Sequence, residues 1–254
     1  MQESRNKSVY ILPNLLTTAS LFTGFLAVLW AVEGYFIWSA SGILVSCVFD
    51  GLDGKVARMT RGSSRFGIQL DSLADLVSFG VAPALMIFLW QTSVFGRLGI
   101  ASSFLFLACG ALRLARFNIQ SDQAEEKASK FFVGLPIPAA ACSLSTLVLF
   151  STYLPATMQT FMLPAASLLL MIVLALLMVS QVSYASFKEV EYIRAHPFTT
   201  SVSVVLLFVL VASEPKLLGF LFSAAYLASG PIYSFLILPF RRGTFLGGLI
   251  RHKP

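Results

Sequence analysis

Long apolar runs separated by short polar stretches dominate this chain. A membrane-spanning helix needs roughly 20 mostly apolar residues, and about eight stretches approach or meet that length. They are 12–32, 35–57, 68–91, 98–118, 134–153, 161–182, 198–213 and 216–238. Pro155 and Pro164 punctuate the fifth and sixth, and Glu214-Pro215 separates the last two. The polar stretch 121–130 reads as a loop, and no internal repeat or low-complexity segment is evident. The pattern predicts an all-α fold, a polytopic membrane helical bundle of about eight transmembrane helices. Residues 1–254 read as a single integral membrane domain.

Composition sharpens this picture. Only 12% of the residues are charged, against roughly 25% in soluble domains. Hydrophobic residues make up 57% of the chain, and the mean hydropathy is +0.81. Ordinary soluble enzymes, disordered proteins and nucleic-acid modules are excluded on that basis, so no nucleic-acid partner is expected. The net charge of +6 is read as Lys and Arg in cytoplasmic loops. With the N-terminus inside and eight spans, every Lys and Arg except Arg97 and Lys216 falls on the inner side. Both termini are then cytoplasmic, in a multi-pass protein of the cell membrane. The basic tail of Arg241, Arg242, Arg251 and Lys253 is expected to lie against anionic lipid headgroups. Cys47, Cys109 and Cys142 lie in apolar stretches without metal-ligand spacing and read as small buried hydrophobes. Arg5 and Lys7 precede an apolar run, but no small-residue cleavage site follows, so the first span is expected to stay in place.

Four aspartates interrupt the apolar pattern at the facing ends of the second and third spans: Asp50, Asp53, Asp71 and Asp75. A carboxylate near mid-membrane costs on the order of 2.5–3.5 kcal/mol on insertion scales, so four together need compensation. Asp50 and Asp53 are spaced i, i+3, and Asp71 and Asp75 i, i+4, so each pair shares one helix face. The connection, containing Gly62, Ser63, Ser64 and Gly67, is short enough to bring the two faces together. Arg58, Arg61 and Arg65 could pair with some carboxylates. An all-oxygen set suits Mg²⁺, Mn²⁺ or Ca²⁺ better, and paired hard cations recur in phosphoryl displacement. The alternative is a set of helix-end carboxylates paired with arginines. Gly54, Ala57 and Gly67 either let a ligand approach the helices or serve ordinary helix packing.

Taken together, residues 50–75 spell DxxDGxxAR(x8)GxxxDxxxD. This resembles the signature of the CDP-alcohol phosphatidyltransferase family. The resemblance implies transfer of a phosphatidyl group from a CDP-linked lipid to an alcohol, with release of CMP. It implies two divalent cations, Mg²⁺ or Mn²⁺, held by Asp50, Asp53, Asp71 and Asp75, with Asp75 as general base for the acceptor hydroxyl. It also implies nucleotide and CDP-lipid contacts at Gly54, Ala57, Arg58 and Gly67. Asn14 and Thr17, in Pro13-Asn14-Leu-Leu-Thr17, either hold the nucleotide as in similar enzymes or cap the first helix. A homodimer is implied in the same way.

Three further stretches resemble the phosphatidylserine synthase branch of that family: 76–84, 111–118 and 131–140. The donor implied is CDP-diacylglycerol or CDP-archaeol, and the acceptor L-serine. Arg113 and Arg116, about one turn apart, could hold the serine carboxylate or mark the positive-inside boundary. Asn118, Lys130 and Ser78, one turn beyond Asp75, are further candidates for serine binding. Glycerol 3-phosphate, inositol phosphate and choline are the competing acceptors. From a different class, the same aspartates would suit an ion-binding transporter, although such proteins often carry inverted repeats, which are not evident here.

Overall fold

A computed structural model describes residues 11–60, 65–123, 131–185 and 214–232. The described residues are helical apart from one small ribbon. Helix α1 (Ile11–Val32) turns at Gly34 into α2 (Phe36–Thr60). The third rod is composite: α3 (Arg65–Asp75), a π-helical stretch (Leu76–Val81) and α4 (Ala82–Trp90). A short 3₁₀ turn leads into α5 (Arg97–Gln123). Next come α6 (Ile137–Phe150), the short α7 (Ala156–Phe161), α8 (Leu163–Val179) and, after residues outside the description, α9 (Pro215–Ile232).

Among the described residues, four helical segments are long and apolar enough to cross a membrane: Leu12–Val32, Phe36–Ala57, Phe66–Trp90 and Arg97–Ile119. They coincide with the first four spans read from the sequence. The fifth and sixth appear as shorter apolar helices, Ile137–Tyr153 and Leu163–Val179. The seventh, 198–213, lies outside the described residues, as do both termini; the eighth is described only through Ile232. The outward faces carry Leu15, Phe22, Phe104, Leu112 and Leu169, all exposed. Such faces suit lipid rather than water.

Two local expectations are corrected. Residues 121–123 continue α5 rather than opening a loop, because the helix carries its polar residues on an end already outside the apolar span. Gly67 lies inside α3 instead of in the connection, which confines the non-helical link to 61–64, outside the described residues. The all-α framework carries one small addition. Phe131–Val133 and Ser183–Ala185 pair as a two-stranded antiparallel ribbon, with Phe132 opposite Tyr184. It is extended through backbone bonds from Gly134 N–H to Val182 and from Leu135 N–H to Leu177, tying the entrance of α6 to the exit of α8.

Small residues set the closest helix contact. Ala27, Ala31, Ala40, Ser20, Ser39 and Ser46 are buried along α1 and α2. Ser39 Oγ donates to the Ala27 carbonyl at 2.7 Å, Ser46 Oγ to the Ser20 carbonyl at 2.8 Å, and the Ser20 and Ser46 hydroxyls lie 2.7 Å apart. Each interhelical bond of this type contributes about 0.6 kcal/mol in a membrane bundle. The π stretch packs against the same helix: the Ser78 side chain occupies the space that a side chain at Gly24 would need. Its wide turns precede Pro83 in the first turn of α4. Proline brings no N–H and crowds the carbonyl four residues back, so an i→i+5 turn upstream accommodates it. The apolar core lies between α4, α5, α6 and α8, around Phe79, Met86, Phe106, Ile137, Leu144, Met171 and Leu174.

Two turn glycines provide a comparison. Gly34 and Gly134 have φ of +83° and +85°. A side chain at Gly34 would meet open space, whereas one at Gly134 would run into the Met178 carbonyl. Gly34→Ala should therefore lose only about 1–2 kcal/mol of stability from the left-handed backbone. Gly134→Ala should lose more, visible as a larger fall in Tm for the purified protein in detergent.

Candidate functional site

The facing ends of α2 and α3 gather the carboxylates. One oxygen each from Asp50, Asp53 and Asp71 lies within 4.8 Å of the others. The helical period produces this: i, i+3 on α2 and i, i+4 on α3 turn both acidic faces the same way. Asp75, one turn further along α3, rests against Asp50 with their carboxyl groups close enough to share a hydrogen. The π stretch begins at the next residue.

Neighbouring helices hold the cluster in place. Asp53 is 5% exposed, as is Thr17 on α1, whose Oγ1 lies 2.7 Å from Asp53 Oδ2 and 3.1 Å from the Pro13 carbonyl. The hydroxyl has one proton, and the shorter, charge-assisted bond takes it. Asn14 is half-buried, and its backbone carbonyl accepts from Thr18. On the other side, Asn118 of α5 donates through Nδ2 to Ser72 Oγ at 2.9 Å, fastening α5 to α3 beside Asp71. Thr17 and Asn118 thus clamp the two acidic helices from α1 and α5.

Arg113 lies where its guanidinium feels both Asp75 and, from α9, Tyr226. Its Nε is buried without a hydrogen-bond partner among the described residues. A buried donor in that condition calls for an acceptor. Arg116, one turn on, is exposed. Ser78 is fully buried, and its hydroxyl donates to the Ser20 carbonyl at 3.1 Å. Ala57 and Gly67 are half-buried. Side chains at Gly51 or Gly54 would meet nothing within 4 Å, so the α2 backbone beside the carboxylates borders open space. Lys130 and the side chain of Arg58 lie outside the described residues.

Two participants were not singled out in the sequence. Ser72 lies within the motif but looks like an ordinary spacer. Tyr226 lies far along the chain in an apolar helix, with nothing local to mark it.

The donor set fits hard divalent cations. Two unit charges within 4.8 Å repel by on the order of 3 kcal/mol or more at an effective dielectric of about 20. Three all-oxygen donors at this separation match the ligand chemistry of Mg²⁺ or Mn²⁺ and offer no sulfur or imidazole for softer metals.

The profile of a family described as CDP-alcohol phosphatidyltransferase matches residues 10–179. A CDP-diacylglycerol–serine O-phosphatidyltransferase of Helicobacter pylori is 39% identical over 187 residues, covering 72% of this chain and 76% of that protein. One from Methanocaldococcus jannaschii is 34% identical over 200 residues, covering 78% and 86%. An archaetidylserine synthase of Methanothermobacter thermautotrophicus is 34% identical over 186 residues, covering 72% and 73%.

Removing the Thr17 hydroxyl tests the clamp. Thr17→Val should weaken Mn²⁺ binding roughly tenfold, as expected for a lost hydrogen bond to a charged group. Asp53→Asn should weaken it much further. Both are read by titration with electron paramagnetic resonance of free Mn²⁺.

Proposed function

The chain belongs to the CDP-alcohol phosphatidyltransferase family, and from that premise we propose that it transfers the phosphatidyl group of CDP-diacylglycerol to the hydroxyl of L-serine. Phosphatidylserine and CMP are the products. The observation that carries this reading is the convergence of Asp50, Asp53 and Asp71 within 4.8 Å, with Asp75 against Asp50. The names of the similar proteins support serine as acceptor. The similarity to an archaetidylserine synthase favours CDP-archaeol as a second donor reading.

Two divalent cations, Mg²⁺ or Mn²⁺, held by the four aspartates, would neutralise the donor diphosphate and the departing CMP. The remaining chemistry falls to side chains. Asp75 takes the proton of the serine hydroxyl. The freed oxygen attacks the lipid-linked phosphorus, and the bond from that phosphorus to the CMP oxygen breaks. A weak nucleophile needs this deprotonation, which typically contributes 10²–10⁴-fold. Arg113 receives the serine carboxylate. Its orphaned Nε and its place beside Asp75 support that role, because a carboxylate there leaves the serine hydroxyl near the base. Arg116, Asn118 and Lys130 belong to the acceptor side of this reading. Asn14, Thr17, Gly54, Ala57, Arg58 and Gly67 line the nucleotide side, where the open space at Gly54 supports close approach of a ligand. The same reading includes eight spans, cytoplasmic termini, a carboxylate site on the cytoplasmic side of the cell membrane, and a homodimer.

Purified protein in lipid with Mn²⁺ and CDP-diacylglycerol, offered serine, glycerol 3-phosphate, inositol phosphate and choline together, should form metal-dependent phosphatidylserine. Mass spectrometry identifies the lipid, and another phosphatidyl product would sink the serine assignment. Asp75→Asn should lower kcat by about a thousandfold. Arg113→Gln should instead raise KM for serine roughly tenfold, the loss expected for a charge-assisted contact, while kcat changes little.

A further inference from the structure

The end of the bundle opposite the carboxylates holds a cavity of about 570 Å³, within the range of roughly 300–1,000 Å³ typical of small-ligand sites. Helix α1 separates the two regions. Its 22 residues extend about 33 Å at 1.5 Å per residue, with Thr17 toward one end and Gly34 just beyond the other. Four aromatic side chains line the cavity: Tyr35, Phe36, Trp38 and Trp90. Ser151, Thr152 and Gln159 supply its polar part, and among the described residues no charged side chain lines it.

The backbone adds a sign to this wall. Helices α1, α4 and α6 end here, at Val32, Trp90 and Phe150, while α2 begins here at Phe36. A helix C-terminus carries about half a negative charge and an N-terminus the opposite; α7, which supplies Gln159, also begins here at Ala156, so three negative ends outnumber two positive ones. Gln159 donates through Nε2 to the Ser151 and Leu154 carbonyls at 3.0 and 2.9 Å, which leaves Oε1 as the accepting atom of that amide. Glu33 adjoins Gly34 on the exposed side. Aromatic faces, helix C-termini and an amide oxygen all favour positive charge. Without a carboxylate in the wall, a compact, strongly hydrated metal ion would gain too little to shed its water. An organic ammonium, with its charge spread over alkyl groups, meets aromatic faces without that cost.

We propose that this cavity binds an organic ammonium group, at a site separate from the catalytic carboxylates. Soluble quaternary amines and choline-bearing phospholipid headgroups share this chemistry.

The chain's own fluorescence reports on the site. It has three tryptophans. Trp38 and Trp90 line the cavity, and the Trp30 ring lies 6.1 Å from that of Trp38. The full-length protein in a maltoside detergent is titrated with tetramethylammonium chloride. Sodium chloride at matched ionic strength and neopentyl alcohol, a neutral molecule of the same shape, serve as controls. A saturable change in tryptophan emission is expected with the cation alone. Tyr35→Leu, at a half-exposed position, should weaken it roughly fivefold, the loss expected for one cation–π partner, with Tm unchanged. In nanodiscs, the same change with phosphatidylcholine but not phosphatidylglycerol assigns the site to a lipid headgroup; a response to tetramethylammonium alone assigns it to soluble amines. An equal response to neopentyl alcohol, a lack of saturation, or unchanged affinity in Tyr35→Leu would overturn the proposal and leave these rings as an interfacial aromatic belt.

Discussion

Mutual repulsion among carboxylates at the margin of an apolar bundle governs how the rest of this protein is built. Three carboxylate oxygens within 4.8 Å, with a fourth group against one of them, would drive two free helices apart. The helices stay together because other elements hold them. Thr17 of α1 bonds Asp53 on one flank, and Asn118 of α5 bonds Ser72 on the other. The serine and alanine contacts of α1 with α2 fix the depth at which Asp50 and Asp53 sit. The strain of gathering like charges is thus spread over the neighbouring helices, and hard cations are the natural counterpart of that arrangement.

The third rod shows how one sequence serves both ends of this balance. Its first part, α3, carries the acidic face and the polar Ser72. Its last part, α4, is apolar and largely buried. Between them the backbone widens into π turns that begin directly after Asp75. Pro83 accounts for the widening from one side. Ser78, seated against Gly24 and bonded to the Ser20 carbonyl, anchors it from the other. Asp75 therefore stands at a seam, where the helix changes pitch and the packing partner changes from polar to apolar.

Residues beyond the family-matched segment also reach the site. Helix α9 lies past residue 179, yet Ser223 bonds Ser143 at 2.7 Å and Phe220 stacks on Phe150 with centroids 4.5 Å apart. That docking against α6 brings Tyr226 into the field of Arg113. The surroundings of Arg113 beside Asp75 thus draw on a part of the chain outside the segment that carries the carboxylates. The aromatic cavity at the far end is assembled in the same manner, from helix ends that meet only after the bundle closes.

Much of this was legible in the residues themselves. Apolar run length marks the first four spans, because a helix in lipid must satisfy its backbone internally over a fixed thickness. The spacing of Asp50, Asp53, Asp71 and Asp75 foretells a shared acidic face, because helical periodicity is local geometry. Other features depend on distant partners and leave no local trace. Gly67 read as linker and is helical. The 131–133 strand exists only because 183–185 returns beside it. Thr17 read equally as a nucleotide contact or a cap, and its bond to Asp53 became visible only with α1 packed on α2. The polar stretch 121–130 read as loop, although α5 carries helix through Gln123. The sequence by itself determined the membrane environment, the helical framework and the acidic chemistry, since each follows from composition or from spacing within one helix. Only the tertiary structure decided which side chains steady those carboxylates, that Arg113 has a nitrogen beside Asp75 without a partner among the described residues, and that the aromatic stretch at 35–38 shares one cavity with Trp90. Those outcomes depend on contacts between residues far apart in the chain, which no local pattern encodes.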